Sequence, residues 1–196
     1  MELTARQQDI VNAAINIIAR QGYQELTTKR LAEVVGVSEA ALYRHFDSKT
    51  DLIHKILEYF QTLAQEAMGS IHDDIKDPFK QVKAFVMNRY KLFMDNPDLA
   101  RVMFSEEIYE NDRSLAEHNL TIMHIHRDQL IKSIKAAQKT KQIRTDLQAI
   151  QLFRIIVGSM RLLVMQWQLS SYEFELQKEG VKLWQTIEKL ITEDNK

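Results

Sequence analysis

The stretch from Thr28 to Phe46, TKRLAEVVGVSEAALYRHF, carries hydroxyl, cationic and aromatic side chains on the spacing of two short helices. Such a pair crosses at a steep angle over a turn of three or four residues. Ala32 is small where the partner helix comes near, and Gly36 can take the positive φ that the turn needs. Leu31, Val35, Val37 and Leu42 can supply a shared apolar core. Ser38 is a good N-cap for the second helix, because its hydroxyl can satisfy a terminal N–H. That helix is too short to stand alone, so the Ile10 side, Leu52 and Ile56 must brace it. A braced short helix with small residues at its start suits entry into a DNA major groove.

The elements that must position this unit are helical. Ile10, Ala14, Ile17 and Ile18 form one stripe of an amphipathic helix, which Gly22 stops. Segments 28–35 and 38–45 follow. Ser48-Lys49-Thr50-Asp51 has the pattern of a capping box before a long helix with Leu52, Ile56, Tyr59, Phe60 and Leu63 on its apolar side. Composition turns polar at Gly69-Ser70 and His72-Asp73-Asp74. Asp77-Pro78 and Asn96-Pro97 each place a capping residue before a Pro at the first helical position. A helix is expected over about 113–140. Thr145 to Gln148 reads as a box opening a helix through about Leu169, and Ser170 to Glu173 as one opening the last helix. This is an all-α chain of about nine helices: three short or medium ones, then six larger. Its natural boundary lies near Ser48.

Composition agrees. Among 196 residues there are 5 Gly, 2 Pro and no Cys. So few turn residues argue against a β-rich or loop-rich fold. Without cysteine there is no disulfide framework, thiolate zinc site or cysteine nucleophile. The formal net charge of −1 gives no global reason to expect nucleic acid or an anionic membrane. The N-terminus shows no signal-peptide pattern. The most apolar window, Ile155 to Met165, contains Arg161 and follows Arg154, so it falls short of an uninterrupted span. A cytoplasmic protein without a membrane partner is expected.

The ordered string Gly22-Tyr23, Leu26-Thr27-Thr28, Leu31-Ala32, Gly36-Val37-Ser38, Leu42 to Phe46 and Ser48 to Leu52 resembles the TetR family of bacterial transcriptional regulators. The resemblance covers about the first 55 residues; beyond them the helices agree in number and length alone. It implies a DNA-binding domain at residues 1–50 and a helical effector-binding and dimerisation domain at 51–196. It further implies that Thr27 and Thr28 meet phosphate and that Lys29 reaches a base edge or a phosphate. Ser38, Glu39, Ala40 and Ala41 start the recognition helix at the groove floor. Tyr43, His45 and Lys49 stand at phosphate-holding positions, and Arg44 reaches either. Glu39 can accept from cytosine N4, and the alanine methyls can touch a thymine methyl.

Residues 1–50 hold six cationic and six anionic side chains, so the segment is neutral. Counterion release drives much of DNA affinity, so DNA binding needs a dimer or segregation of charge onto one face. The alternative is a helical ligand-sensing or protein-interaction module that no longer binds specific DNA.

From Pro78 to Arg144 the chain is rich in aromatics and Met, which suit an adaptable apolar pocket or an ordinary core. By resemblance an effector is held here, with Phe85, Tyr90, Met94, Met103, Phe104, Tyr109 and Met123 as candidate lining residues. A small, mainly apolar molecule is expected. His118, His124 and His126 lack the i, i+4 spacing of a metal site, so no metal and no cofactor is expected. The acidic pairs Asp73-Asp74 and Glu106-Glu107 point apart on a helix, and no nucleophile elbow, P-loop or dinucleotide fingerprint is present, so no enzyme is expected. In the last two helices, Leu147, Ile150, Phe153, Val157, Met160 and Val164 make one stripe, with Gly158 and Ser159 allowing close approach. Leu176, Leu183, Trp184, Ile187, Leu190 and Ile191 make another. The resemblance implies a homodimer through these helices. The functional expectation is a repressor on a pseudo-palindromic double-stranded operator, released when effector binding shifts the helix after Ser48.

Overall fold

The computed structural model describes residues 3–110 and 112–192, without the side chains of residues 70, 72 and 73. Met1, Glu2 and the Asp73 side chain lie outside the described residues. The described residues form helices α1 (Ala5–Gln21), α2 (Thr28–Val35), α3 (Glu39–Leu42), α4 (Lys49–Asp74), α5 (Pro78–Asp95), α6 (Pro97–Met103), α7 (Glu106–Glu110), α8 (Arg113–Lys139), α9 (Ala149–Leu169) and α10 (Leu176–Ile191). The expected nine are all present; the short α7 is the addition. Two compact units organise them: residues 1–62 with 96–122, and residues 63–95 with 123–196. The chains of α4 and α8 each contribute to both.

In the first unit, α1 starts with a complete capping box, Thr4 with Gln7, and ends where Gly22 takes φ 99°. It buries Ile10, Val11, Ala14, Ile15, Ile17 and Ile18, a broader face than the expected stripe, because α2 and α6 both pack on it. The turn after α2 closes as its sequence requires. Gly36 sits in the left-handed region at φ 73° and ψ 41°, and its N–H and that of Val37 donate to the Ala32 carbonyl. Leu31, Ala32, Leu42, Phe46, Leu52 and Ile56 are buried, which seats the short helices on α4. Val35 and Val37 are half-buried at the edge of this core. Ser48 Oγ accepts from the Asp51 N–H at 3.0 Å, so α4 begins where the sequence places it.

In the second unit, α5, α9 and α10 pack on one another. Asp77 Oδ1 accepts from the Phe79 and Lys80 N–H groups and starts α5. The two later boxes do not form. α9 starts at Ala149 and α10 at Leu176, four residues after Thr145 and six after Ser170. Ser170 instead ends α9, and Ser171 and Tyr172 take φ 54° and 68°, so the Tyr172 N–H donates back to Trp167 O at 2.9 Å. A residue with positive φ cannot continue a helix, so the chain must turn before α10 begins. The buried face of α9 is Ala149, Leu152, Ile156, Met160, Val164 and Trp167. Ile150, Phe153 and Val157 flank it, so the true stripe is rotated from the expected one. Ile155, Leu162, Met165 and Leu169 lie exposed on another side of the same helix. With apolar residues on two sides, α9 is long and apolar enough by composition to cross a membrane, yet one side already packs on α5 and α10.

Candidate nucleic-acid interface

The reading head is built by three N-caps in succession. Thr27 Oγ1 accepts from Arg30 N–H at 3.1 Å and Ser38 Oγ accepts from Ala41 N–H at 3.2 Å. A hydroxyl that accepts still has its own proton to donate, so both caps keep a donor for phosphate. Ser48 does the same for α4. Between them, α3 is a single helical turn. Past Leu42 the backbone tightens, with His45 N–H donating to Leu42 O at 2.8 Å, so the expected helix over 38–45 ends early and Tyr43 to His45 form a turn.

This arrangement presents the expected side chains outward. Glu39, Ala40 and Arg44 are exposed and Tyr43 is 55% exposed, while Ala41 and His45 are half-buried. Thr27, Lys29 and Ser38 are exposed and Thr28 half-buried. Thr28 and Tyr43 meet through their hydroxyls at 3.4 Å, and Thr27, Thr28, Tyr43, Ser48 and Lys49 border one depression floored by Leu26, Leu31, Leu42, Phe46 and Leu52. Hydroxyls from α2 and from the turn after α3 therefore stand side by side.

Lys49 is more tightly held than its sequence suggests. Its Nζ donates to Tyr23 O at 2.8 Å and lies 3.7 Å from the centre of the Tyr23 ring. Burial pulls its pKa below the ordinary lysine value, with Glu107 opposing. An ammonium has three N–H donors, so one bond to a carbonyl leaves others for a phosphate and fixes where they point. Of the anions, Asp9 pairs with Arg6 at 3.4 Å and Glu33 with Arg30 at 3.8 Å. Those two pairs occupy Arg6 and Arg30 and leave Lys29, Arg44 and Lys49 outside them.

The candidate effector residues fall in both units. Met103, Phe104 and Tyr109 belong to the first unit; Phe85, Tyr90, Met94 and Met123 belong to the second. Phe85, Tyr90 and Met103 are buried, Met94 and the residues Phe104 and Tyr109 are half-buried, and Met123 is 47% exposed. Tyr90 is packed against α10 where Gly180 leaves room for its ring. Burial pushes its hydroxyl up to about 12.

Three features escaped the sequence reading. Arg89 is buried, with its guanidinium 5.0 Å from the Phe85 ring, and burial lowers its pKa to about 10. His126 is buried, and burial together with the charge of Arg89 pulls its pKa down to about 3. His118 pairs with His54, Nδ1 to Nδ1 at 2.8 Å, with rings stacked 5.0 Å apart. A hydropathy pattern scores arginine and histidine as surface residues, and His54 is too far from His118 in sequence for any local spacing to reveal the pair. Among the described residues no group of three His, Asp or Glu could hold a metal.

Residues 10–56 match the family model of bacterial regulatory proteins, tetR family. The nucleoid occlusion factor SlmA of Photobacterium profundum is 36% identical over 113 residues, which are 56% of this chain and 57% of that protein. The chain thus spans little more than half the length of the curated relatives it matches at this identity. Its fold is that of the fatty acid degradation regulator FadR from Bacillus halodurans, at a TM-score of 0.85 and 17% identity over 96% of this chain and 97% of that one. The transcriptional regulator FadR from Bacillus subtilis, in complex with stearoyl-CoA, gives 0.79 and 17% over 93% and 96%. At such identities the likeness is one of fold.

Proposed function

Because the chain belongs to the TetR family of bacterial regulatory proteins, we propose that it binds a pseudo-palindromic operator as a homodimer, acts as a repressor and is released by a small, mainly apolar effector. The observation that carries the reading is the outward presentation of Glu39, Ala40 and Tyr43 on a capped, braced helix-turn-helix. Thr27, Thr28, Tyr43 and Lys49 fix register on phosphates, while Glu39, Ala40 and Ala41 read base edges. Lys29, Arg44 and His45 supply the remaining cationic or polar contacts. Residues 1–50 read DNA, and the remaining helices hold the effector and the partner subunit.

An apolar effector is supported by the buried aromatic side chains Phe85 and Tyr90 of the second unit, and by a fold shared with a regulator bound to stearoyl-CoA. A ligand can shift the DNA-bound arrangement only through different affinity for the two states. Dimerisation is supported by the exposed stripe Ile155, Leu162, Met165 and Leu169, which continues past Gly158, where nothing lies within 4 Å of a built Cβ.

The test is duplex binding over a salt series. The wild-type chain is expected to lose affinity steeply with salt, and Lys49→Ala to reduce the slope by about 1. Tyr43→Ala is expected to weaken binding about 5- to 50-fold, the range for losing one to two good polar contacts. Unchanged affinity in both variants rejects the contact assignment. A second reading, a DNA-bound nucleoid occlusion factor, is favoured by the identity to SlmA. Duplex affinity that no acyl-chain ligand alters favours that reading over effector release.

A further inference from the structure

Two residues one turn apart on α4, Thr50 and His54, face three residues at the start of α8: Asp112, Ser114 and His118. Thr50 Oγ1 donates to Asp112 Oδ2 at 3.0 Å. Ser114 Oγ donates to Asp112 Oδ1 at 2.7 Å. The other side of the Ser114 hydroxyl lies 3.3 Å from His54 Nε2, and His54 Nδ1 lies 2.8 Å from His118 Nδ1.

The direction of every bond in this chain follows from proton counting. Asp112 accepts from both hydroxyls and from the N–H groups of Ser114 and Leu115, which hold its carboxyl below the usual carboxylate range. An ionised carboxylate has no proton to give, so the single proton of Ser114 goes to it. Towards His54 the Ser114 oxygen can then only accept, so His54 Nε2 carries a proton. With one proton on the ring, His54 Nδ1 holds a lone pair and the opposing His118 Nδ1 carries the hydrogen. Donation runs one way, from His118 through His54 and Ser114 to Asp112, where Thr50 joins it.

We infer that Thr50 and His54 are positioning residues for DNA reading. Through Asp112, Ser114 and His118 they pin the first turns of α4, and with them Lys49 beneath the Tyr43 turn. The inference rests on the DNA-binding reading above. It goes beyond that reading in assigning the orientation of the contact residues to side chains that touch no DNA. A second strap in the same unit, Gln24 Nε2 to Glu107 Oε1 at 3.0 Å, holds the loop whose Tyr23 carbonyl seats Lys49.

Two measurements test it, using full-length chain and the duplex that wild-type protein enriches from a random library. Nitrogen-15 spectra of histidine-labelled protein at neutral pH are expected to show His54 bare at Nδ1 and His118 protonated at Nδ1, with Ser114→Ala abolishing the His54 preference. Thr50→Val is expected to weaken duplex binding about 3- to 10-fold, the effect of one lost hydrogen bond, and Thr50→Ser, which keeps the hydroxyl, to restore it. A His54 protonated at Nδ1 overturns the relay, and a Thr50→Val chain that binds like wild type overturns the positioning role. A wild-type chain that enriches no duplex overturns the DNA-binding reading itself and the positioning role with it, whatever the tautomers are.

Discussion

His126 illustrates what one side chain's surroundings do that its sequence neighbours cannot announce. Its pKa of about 3 comes first from burial and second from the charge of Arg89. The folded value lies below the ordinary 6.5, so between the two the unfolded chain takes a proton that the folded chain refuses. Stability is therefore fully present above about pH 6.5 and declines as pH falls towards 3. Urea unfolding at pH 7 and pH 4.5 measures the loss. His126→Gln, which cannot titrate, is expected to shrink the difference between the two pH values by about 2–3 kcal/mol. An undiminished difference would show that the proton is taken up elsewhere. At this scale the capped helix-turn-helix was legible, because caps and a turn glycine occur at fixed offsets along one short stretch. Thr27, Ser38 and Gly36 do in the structure what their types demand. The His54–His118 pair and the Thr50–Asp112 bond were not legible, since they join residues that only the packed fold brings together.

Helices report their starts unevenly. Where a capping residue is followed by Pro or by a strong apolar run, as at Asp77 and Ser48, the element begins as expected. At Thr145 and Ser170 the same local pattern lost to the geometry of the preceding helix end, where Lys141, Ser171 and Tyr172 take positive φ. The packing of α10 on α5 depends on one glycine. A Cβ at Gly180 would fall 2.4 Å from Tyr90 Cε2, and the Tyr90 ring is fully buried. Alanine is a better helix former by about 1 kcal/mol, but the clash outweighs that gain. Gly180→Ala is expected to cost about 1–3 kcal/mol net in urea unfolding, the usual penalty of overpacking. A variant as stable as wild type would mean that α10 slides freely on α5.

For the whole molecule, the open question is what covers the second apolar side of α9. Leu162 is 51% exposed and Leu169 78% exposed on the single chain, and Leu190 of α10 is exposed too. A second copy of the chain is the proposed cover. Leu162→Glu places a charge on that surface without touching the buried face of α9. It is expected to sediment as a 23.0 kDa monomer where wild type runs at twice that mass, and to lose operator affinity because only one reading head remains. Equal sedimentation of the two chains would remove this interface.

A dimer would also answer the charge difficulty. With six cations against six anions in residues 1–50, one reading head has little electrostatic grip, and two heads on one duplex double the contacts. Selection of duplexes from a random library by wild-type chain, at low salt, tests this most directly. The result expected is a pseudo-palindrome whose half-site centres lie about 34 Å or a multiple apart, which Tyr43→Ala binds more weakly than wild type. Recovery of unselected sequences alone would contradict the assignment of Glu39, Ala40 and Tyr43 to a DNA groove.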